Sequence, residues 1–476
     1  MLFHSTTFLI FFVIVFLIYL KSNHFFQNKL LLISSYIFYG AWEWKYLGLL
    51  FTSTVTDYFC GLFIDKSVEK KKKYFVYISI FVNLSLLGVF KYYDFFAKEF
   101  SDFVAIFGLN LNPVLLNVVL PIGISFYTFQ TISYTVDVYR GKLKPCKNFF
   151  DFALYVSFFP QLVAGPIERG IRFLPQVLSS RDLTFKNFRE GLYCVFWGLF
   201  MKTVIADNMA DLVDPIYDIN SLNQNGALVF IATYAFAIQI YCDFSGYSLI
   251  AIGLAKMMGF ELMENFRRPY FSMNISDFWR RWHISLSSWF RDYMFSPLYI
   301  YFQNSKIFKG RSIHFRHLVF FMIVLFLTEF LLGLWHGAGW NYAFFGVYHS
   351  ILIGGYYFTK KYWDKIEKNL QIFLTFNLAC IGWLIFRSEG LAHSYDLLKI
   401  LFINWEINQL TIQYFFKFLI LFIGLFIHEI IEEIKNKRYA ISFLPKIFQY
   451  SIYTIIVISM FMFGQFGVKK FIYFQF

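Results

Sequence analysis

The chain has 476 residues, 58% of them hydrophobic and only 15% charged, with a mean hydropathy of +0.53. Soluble domains carry charge on roughly 25% of their residues, so a water-soluble fold is excluded and a bilayer is the natural solvent. The net charge of +13 sits in a few loops and on no separable basic module, which argues against nucleic acid as a partner and for basic loops meeting anionic lipid on the cytoplasmic side.

Apolar runs recur at 6–20, 30–64, 74–90, 113–138, 149–164, 190–206, 226–260, 318–335, 341–358, 371–386, 412–431 and 447–464. A helix needs about 20 such residues to cross a membrane. The pattern predicts an all-α polytopic membrane protein with about eleven or twelve transmembrane helices, some short, tilted or re-entrant. Phe8–Leu20 has neither a basic segment before it nor a small-residue cleavage site after it, so it reads as a retained first span. The run 30–64 is too long for one crossing and is expected to fold back at Trp42-Glu43-Trp44-Lys45. That puts the basic loops 21–29 and 65–73 on one side and the N-terminus outside.

Pro160, Gly165 and Pro166 break the next apolar segment, because proline lacks the N–H a helix requires. Broken backbone at membrane depth survives only under cover of protein or beside a wet cavity, so this stretch reads as re-entrant; the alternative is an ordinary interfacial loop. Asp243, within Gln239–Ser248, sets a carboxylate in an apolar run and is either a structural anchor or a site residue. The longest polar interval, Asn265–His317, carries Arg267, Arg268, Arg280, Arg281, Arg291, Lys306, Lys309, Arg311 and Arg316. Within it Phe278, Trp282, Ser285 and Trp289 fall at helical spacing, which predicts an amphipathic helix at the cytoplasmic interface that dips into the protein. No repeat, phosphate-binding loop, dinucleotide fingerprint or linker marks a second domain, so residues 1–476 are expected to form one membrane domain.

The five cysteines are scattered and without CxxC spacing, so they imply neither a disulfide framework nor a zinc site. Among nine histidines, His314 and His317 have no third ligand at a metal-binding spacing and read as a solvated basic face; no metal is expected. His283 and His336 stand apart, each flanked by tryptophan. A buried neutral imidazole can take a proton from a hydroxyl, since its ordinary pKa of about 6.5 lies close to working pH. The competing reading is a satisfied structural histidine, but Gly337-Ala338-Gly339 after His336 lets backbone or substrate approach closely. With no nucleophile–base–acid triad in view, direct attack of an acceptor hydroxyl on a bound thioester asks least of these residues.

Ordered motifs complete the pattern: Leu120–Phe126, Val136–Gly141, Phe159–Ile167, Tyr241–Ser248, Glu264-Asn265-Phe266, Phe278–Leu286, Gly333–Ala338 and Phe471–Phe476. Through them the chain resembles, over nearly its whole length, the membrane-bound O-acyltransferases. The likeness is to the bacterial branch that holds the alginate O-acetyltransferase membrane subunit and the teichoic acid D-alanylation membrane subunit. The resemblance implies transmembrane, re-entrant and interfacial helices around a central tunnel in a bacterial cytoplasmic (inner) membrane. It also implies His336 as the base and His283 as a second site position. Trp282, Trp335 and Asp243 join them as candidate substrate-binding residues. Arg280, Arg281 and Arg291 would draw an acidic carrier protein or the phosphates of acyl-CoA, or else serve as interface anchors.

No cofactor is expected to be tightly bound; the donor is acyl-CoA or an acyl carrier protein. The acceptor is a polysaccharide or an extracytoplasmic acyltransferase/esterase-like partner protein. O-acetyl transfer is the leading reading, with D-alanyl transfer to teichoic acid second. A transporter of acyl or glycan intermediates and an assembly scaffold are the rivals from other classes. Leu249, and Tyr299-Ile300-Tyr301 after Pro297-Leu298, depart from the alginate-type pattern without touching either histidine.

Overall fold

The computed structural model describes all residues except 164, 222, 223, 306, 308, 309, 437–440, 442, 443, 467, 468, 470 and 473–476. Ala164, Lys306, Lys309 and the Tyr473–Phe476 end of the terminal motif therefore lie outside the described residues. Every described element is helical. The chain forms two compact units, residues 1–195 with 250–263, and residues 196–249 with 264–476.

The first unit opens with α1 (Thr6–Lys21) and α2 (His24–Glu43), capped by the side chains of Ser5 and Asn23, which accept N–H groups of the first turns. At Glu43 the backbone turns extended (φ −158°, ψ 105°), and a 3-10 turn over Trp44–Tyr46 leads into α3 (Leu47–Lys66). The interruption thus falls inside Trp42–Lys45, where the sequence reading put it. Next come α4 (Glu69–Leu87), a π-helical turn, α5 (Tyr93–Ala105) and α6 (Ile124–Tyr139). The apolar run 113–138 is not one crossing. Pro113 and Pro121 withhold N–H donors, and the helix starts only after Gly123 at φ +78°, where a Cβ would sit 2.4 Å from the Leu162 carbonyl oxygen.

The unit continues through α7 (Phe149–Ser157), α8 (Phe159–Leu162), α9 (Gly170–Leu178) and the first part of α10 (Phe185–Phe200). The proline-broken stretch between α7 and α9 is buried at Phe158, Pro160, Gln161, Gly165, Pro166 and Ile167, so protein covers it and it is no exposed interfacial loop. Helices α3, α4 and α6 pack together around Asp57. Its carboxylate accepts hydrogen bonds from Ser79 Oγ, from Asn83 Nδ2 at 2.6 Å and from Thr135 Oγ1 at 2.5 Å. A buried carboxylate with this many donors is a polar knot between three apolar helices.

The second unit takes up the chain in a π-helical stretch, Met201–Ala206, that runs into α11 (Asp207–Tyr217). It then holds most of α12 (Gly226–Met257), the short pair α13 (Ile275–Arg281) and α14 (Ile284–Phe290), and α15 (Ser296–Asn304). Six helices complete it: α16 (Ile313–His336), α17 (Trp340–Trp363), α18 (Lys368–Arg387), α19 (Leu391–Ile403), α20 (Gln409–Lys435) and α21 (Lys446–Phe463).

Among the described residues, seven helical stretches are long and apolar enough to cross a membrane: 24–66, 69–105, 226–257, 313–336, 368–387, 409–435 and 446–463; α1 is a shorter apolar helix. Large side chains such as Leu9, Val13 and Leu17 on α1, and Phe416, Ile420 and Ile423 on α20, point outward. In water such faces would be a liability; against lipid tails they are at home. The protein is a multi-pass membrane protein.

The expected single amphipathic helix across Phe278–Trp289 is two helices. The backbone leaves α13 at Trp282, His283 adopts a left-handed conformation (φ +42°, ψ 52°), and α14 starts afresh at Ile284. The residues at that spacing, Phe278, Trp282, Ser285 and Trp289, are all buried, as a segment dipping into the protein requires.

Candidate active site

His336 is the last residue of α16, and the next residue, Gly337, is extended at φ −160°. Helices α16 and α17 form a hairpin whose backbones nearly touch. A Cβ on Gly333 would lie 2.2 Å from the Tyr342 carbonyl oxygen, and one on Gly346 would lie 2.0 Å from that of Glu329. Small residues at both contacts permit this approach, as in closely packed membrane helices. The hairpin fixes where His336 stands.

His283 is positioned by hydrogen bonds to its flanking chain. Asn265 receives the Ile284 N–H on its backbone carbonyl at 2.9 Å and the Ser285 hydroxyl on its side-chain oxygen at 2.9 Å. Its own amide donates to Ser248 Oγ at 3.1 Å, and the Arg267 N–H donates to the Arg281 carbonyl at 2.9 Å. The Glu264-Asn265-Phe266 and Tyr241–Ser248 motifs thus meet behind the kink. A non-glycine residue at positive φ costs free energy, which this over-determined setting offsets.

The two imidazoles come together, with ring centroids 6.4 Å apart. Trp335 lies 5.7 Å from the ring of His283 and 5.2 Å from that of His336. Phe244 stands edge-on to His283 at 4.6 Å, and Phe386 edge-on to His336 at 5.4 Å. Both histidines are buried. Burial holds the His283 imidazole well below its ordinary pKa, and the neighbouring His336 adds to the effect. His283 is therefore neutral at physiological pH, and two rings at this spacing can flank a reacting group.

The other candidates divide. Trp335 stands with the histidines, whereas Trp282 packs beneath the kink on Trp383 at 4.6 Å. Asp243 is an anchor in this structure: it pairs with Lys202 Nζ at 2.7 Å and accepts the Ile472 N–H at 2.7 Å, and Lys202 also holds Asp207 at 2.8 Å. That N–H tie and the packing of Phe471 on Tyr247 (4.5 Å) and Phe244 (5.6 Å) dock the terminal segment next to a ring that touches His283. Arg281 bridges Asp277 at 3.0 Å and Glu433 at 3.2 Å. Arg280 and Arg291 are exposed and line a cavity of about 470 Å³ between α13, α14 and α16.

Sequence reasoning passed over two residues. Glu329 lies in the apolar run 318–335, is 9% exposed, and lines that cavity; no described group hydrogen-bonds to its Oε2. Its signal was a carboxyl seven residues before His336. Lys202 was hidden in the run 190–206, and its signal was the acid five residues on. His428, Glu429 and Glu432 each bring one potential metal-ligand atom within 4.8 Å of the others. That group is already engaged, with Tyr241 donating to Glu429 at 2.9 Å and Arg268 lying 3.8 Å from Glu432.

A helical, multi-pass membrane protein with two imidazoles buried in an aromatic box has the makings of an enzyme that moves protons at a hydroxyl. Sequence comparison says which kind. A model of the membrane-bound O-acyltransferase family matches residues 36–392. The probable alginate O-acetylase AlgI of Pseudomonas syringae pv. tomato is 39% identical over 429 residues, 86% of this chain and 77% of the relative. The peptidoglycan O-acetyltransferase of Helicobacter pylori is 34% identical over 409 residues, 79% of this chain and 74% of the relative. The teichoic acid D-alanyltransferase of Bacillus subtilis is 31% identical over 293 residues, 58% of this chain and 71% of the relative. The chain belongs to the membrane-bound O-acyltransferase family, and it is a membrane O-acyltransferase.

Proposed function

We propose that the protein transfers an acetyl group from a cytoplasmic thioester, acetyl-CoA or an acetylated carrier protein, towards an extracytoplasmic polysaccharide, working in the bacterial inner membrane. The acceptor hydroxyl belongs to the polysaccharide or to an extracytoplasmic acyltransferase/esterase-like partner protein. The observation that carries this reading is the pair of buried imidazoles 6.4 Å apart, one of them at the end of a rigidly clasped hairpin. Acetylating relatives align over more of this chain than the D-alanylating one, which favours acetyl over D-alanyl transfer.

In the step we propose, the acceptor oxygen forms a bond to the thioester carbonyl carbon while His336 takes the hydroxyl proton. The tetrahedral intermediate collapses, the C–S bond breaks, and the leaving thiolate recovers that proton from His336. His283, neutral on the far side of the reacting group, orients the acceptor or the carbonyl. Trp335 closes the site against water, and the guanidinium groups of Arg280 and Arg291 meet anionic groups of the donor.

The test is transfer of radiolabelled acetyl from acetyl-CoA, and separately from an acetylated carrier protein, by purified protein in liposomes carrying the candidate glycan outside. Label in the glycan with wild type and none with a folded His336→Ala variant is the expected result. Transfer of D-alanyl but not acetyl would select the second reading, and passage of intact thioester without bond formation would sink both.

A further inference from the structure

Among the described residues, four that are not glycine have a positive φ: Asn117, Arg268, His283 and Asn436. Two of them bracket α13. Arg268 (φ +43°) precedes it and the 3-10 turn Pro269–Phe271 that leads in, and His283 (φ +42°) follows it. The chain on either side is drawn together at a neck, where the Arg267 N–H donates to the Arg281 carbonyl at 2.9 Å and the Ile284 N–H to the Asn265 carbonyl at 2.9 Å. The side chains of Arg268 and Arg281, one from each side of that neck, converge on a single carboxylate, Glu433 in the last turn of α20. Arg268 Nε donates to its Oε2 at 2.6 Å, and Arg281 Nη1 lies 3.2 Å from each of its oxygens. A third left-handed residue, Asn436 (φ +46°), ends α20 and accepts from Arg268 Nη2 at 3.5 Å.

We infer that Glu433 is a positioning residue for the reaction: it clips the neck from α20 and so sets where the His283 ring stands, an assignment that rests on the proposed function, in which His283 flanks the reacting group. Three observations carry it. First, a carboxylate in the last turn of a helix faces the negative end of the macrodipole, an unfavourable place that two guanidinium groups offset. Second, Arg268 is buried, so its charge requires a close partner; Glu433 is that partner, while Glu432 Oε2 stands back at 3.8 Å. Third, a strained backbone persists only where its surroundings over-determine it, and the strained positions Arg268 and His283 lie at and two residues past the points that Glu433 holds.

Asp277 also pairs with Arg281, at 3.0 Å from Nε, but it belongs to α13 and moves with it. Glu433 comes from a helix 152 positions further along the chain than Arg281, so only it fixes the neck to something outside the loop. Glutamine at 433 keeps the size, carries no charge and presents one acceptor oxygen in place of two. It can hold one arginine and must release the other.

The test is solid-state nitrogen-15 spectroscopy of the histidine-labelled full chain in nanodiscs, with the His283 ring signals assigned by their loss in His283→Gln. Glu433→Gln is expected to shift those signals, and Glu433→Asp, which keeps the charge and both oxygens, to return them towards wild type. Asp214→Asn, which breaks the ion pair between α11 and Arg387 of α18, should leave them in place. Arg268→Gln opens the clip from the other side and should shift the same signals, which keeps the inference testable if Glu433→Gln fails to fold. In transfer from acetyl-CoA, Glu433→Gln should lower kcat by about ten- to a hundredfold with KM within about twofold, because a misplacement of about 1 Å can cost about a hundredfold in rate. His283 signals that stay put in folded Glu433→Gln or Arg268→Gln, that move as far with Asp214→Asn, or that are disturbed equally by Asp and Gln would each overturn it. Full kcat in a folded Glu433→Gln protein removes this inference alone; signals that depend on Glu433 in a wild-type chain that transfers no acyl group remove the proposed reaction and leave the clip standing.

Discussion

Asp57 and Glu329 are both carboxyl groups sunk among apolar helices, and their surroundings could hardly differ more. Asp57 is met from three sides by Ser79, Asn83 and Thr135, all of them buried, on two neighbouring helices. Glu329 has one oxygen to which no described group hydrogen-bonds, and it faces a cavity two turns from His336. Burying a polar group costs free energy that partners must offset, so a saturated carboxyl is glue and an open one is an invitation. The same residue chemistry thus sits in two different settings, and the distinction is made by partners alone.

The largest expected effect tests the site. His336→Ala should cut acyl transfer by about a thousandfold or more, the upper part of the range for a lost general base, with the thermal midpoint unchanged. Asp57→Leu should behave in the opposite way. It strands three buried donors at about 1 kcal/mol or more each, so unfolding in detergent should come about 3 kcal/mol sooner while transfer per folded molecule persists. If Asp57→Leu instead removes activity from a stable protein, the contrast between the two carboxyls is broken.

The smallest effect concerns pH. The folded pKa of His283 is depressed, so below about 6.5 the unfolded chain binds a proton that the folded chain refuses. Stability from this group is complete above that value and is lost as pH falls, with a slope of at most about 1.4 kcal/mol per pH unit. His283→Gln should flatten the dependence of the thermal midpoint on pH between about 6.5 and 4.5 relative to wild type. An unchanged slope would mean that His283 is not held neutral by its burial.

Much of the candidate site was legible from residue types. His283 and His336 are 53 positions apart, yet their flanking tryptophans and the glycines after His336 marked them in a chain of apolar helices. The break at Trp42–Lys45 and the buried proline-rich stretch were readable because proline and clustered polarity act locally. The kink at His283 was not. Its cause is Asn265, eighteen residues away, and a histidine at positive φ leaves no compositional trace. Lys202 and Asp243 were obscure for the same reason, since a charge in an apolar run reveals its purpose only when its partner arrives from another helix. Glu329 is the sharper lesson: that no described group hydrogen-bonds to its Oε2 is something no sequence pattern records.

The glycine contacts between α16 and α17 carry a mechanical consequence. With backbone against backbone at Gly333 and Gly346, neither helix of the hairpin has room to rotate or slide past the other. His336 is thus a fixed datum at the end of α16. Any adjustment around it falls to the opposite wall, where α13 and α14 are each seven residues long and meet at the left-handed His283. A hinge there would have the second imidazole itself as its pivot, so any bending of this wall would change the spacing of the two rings.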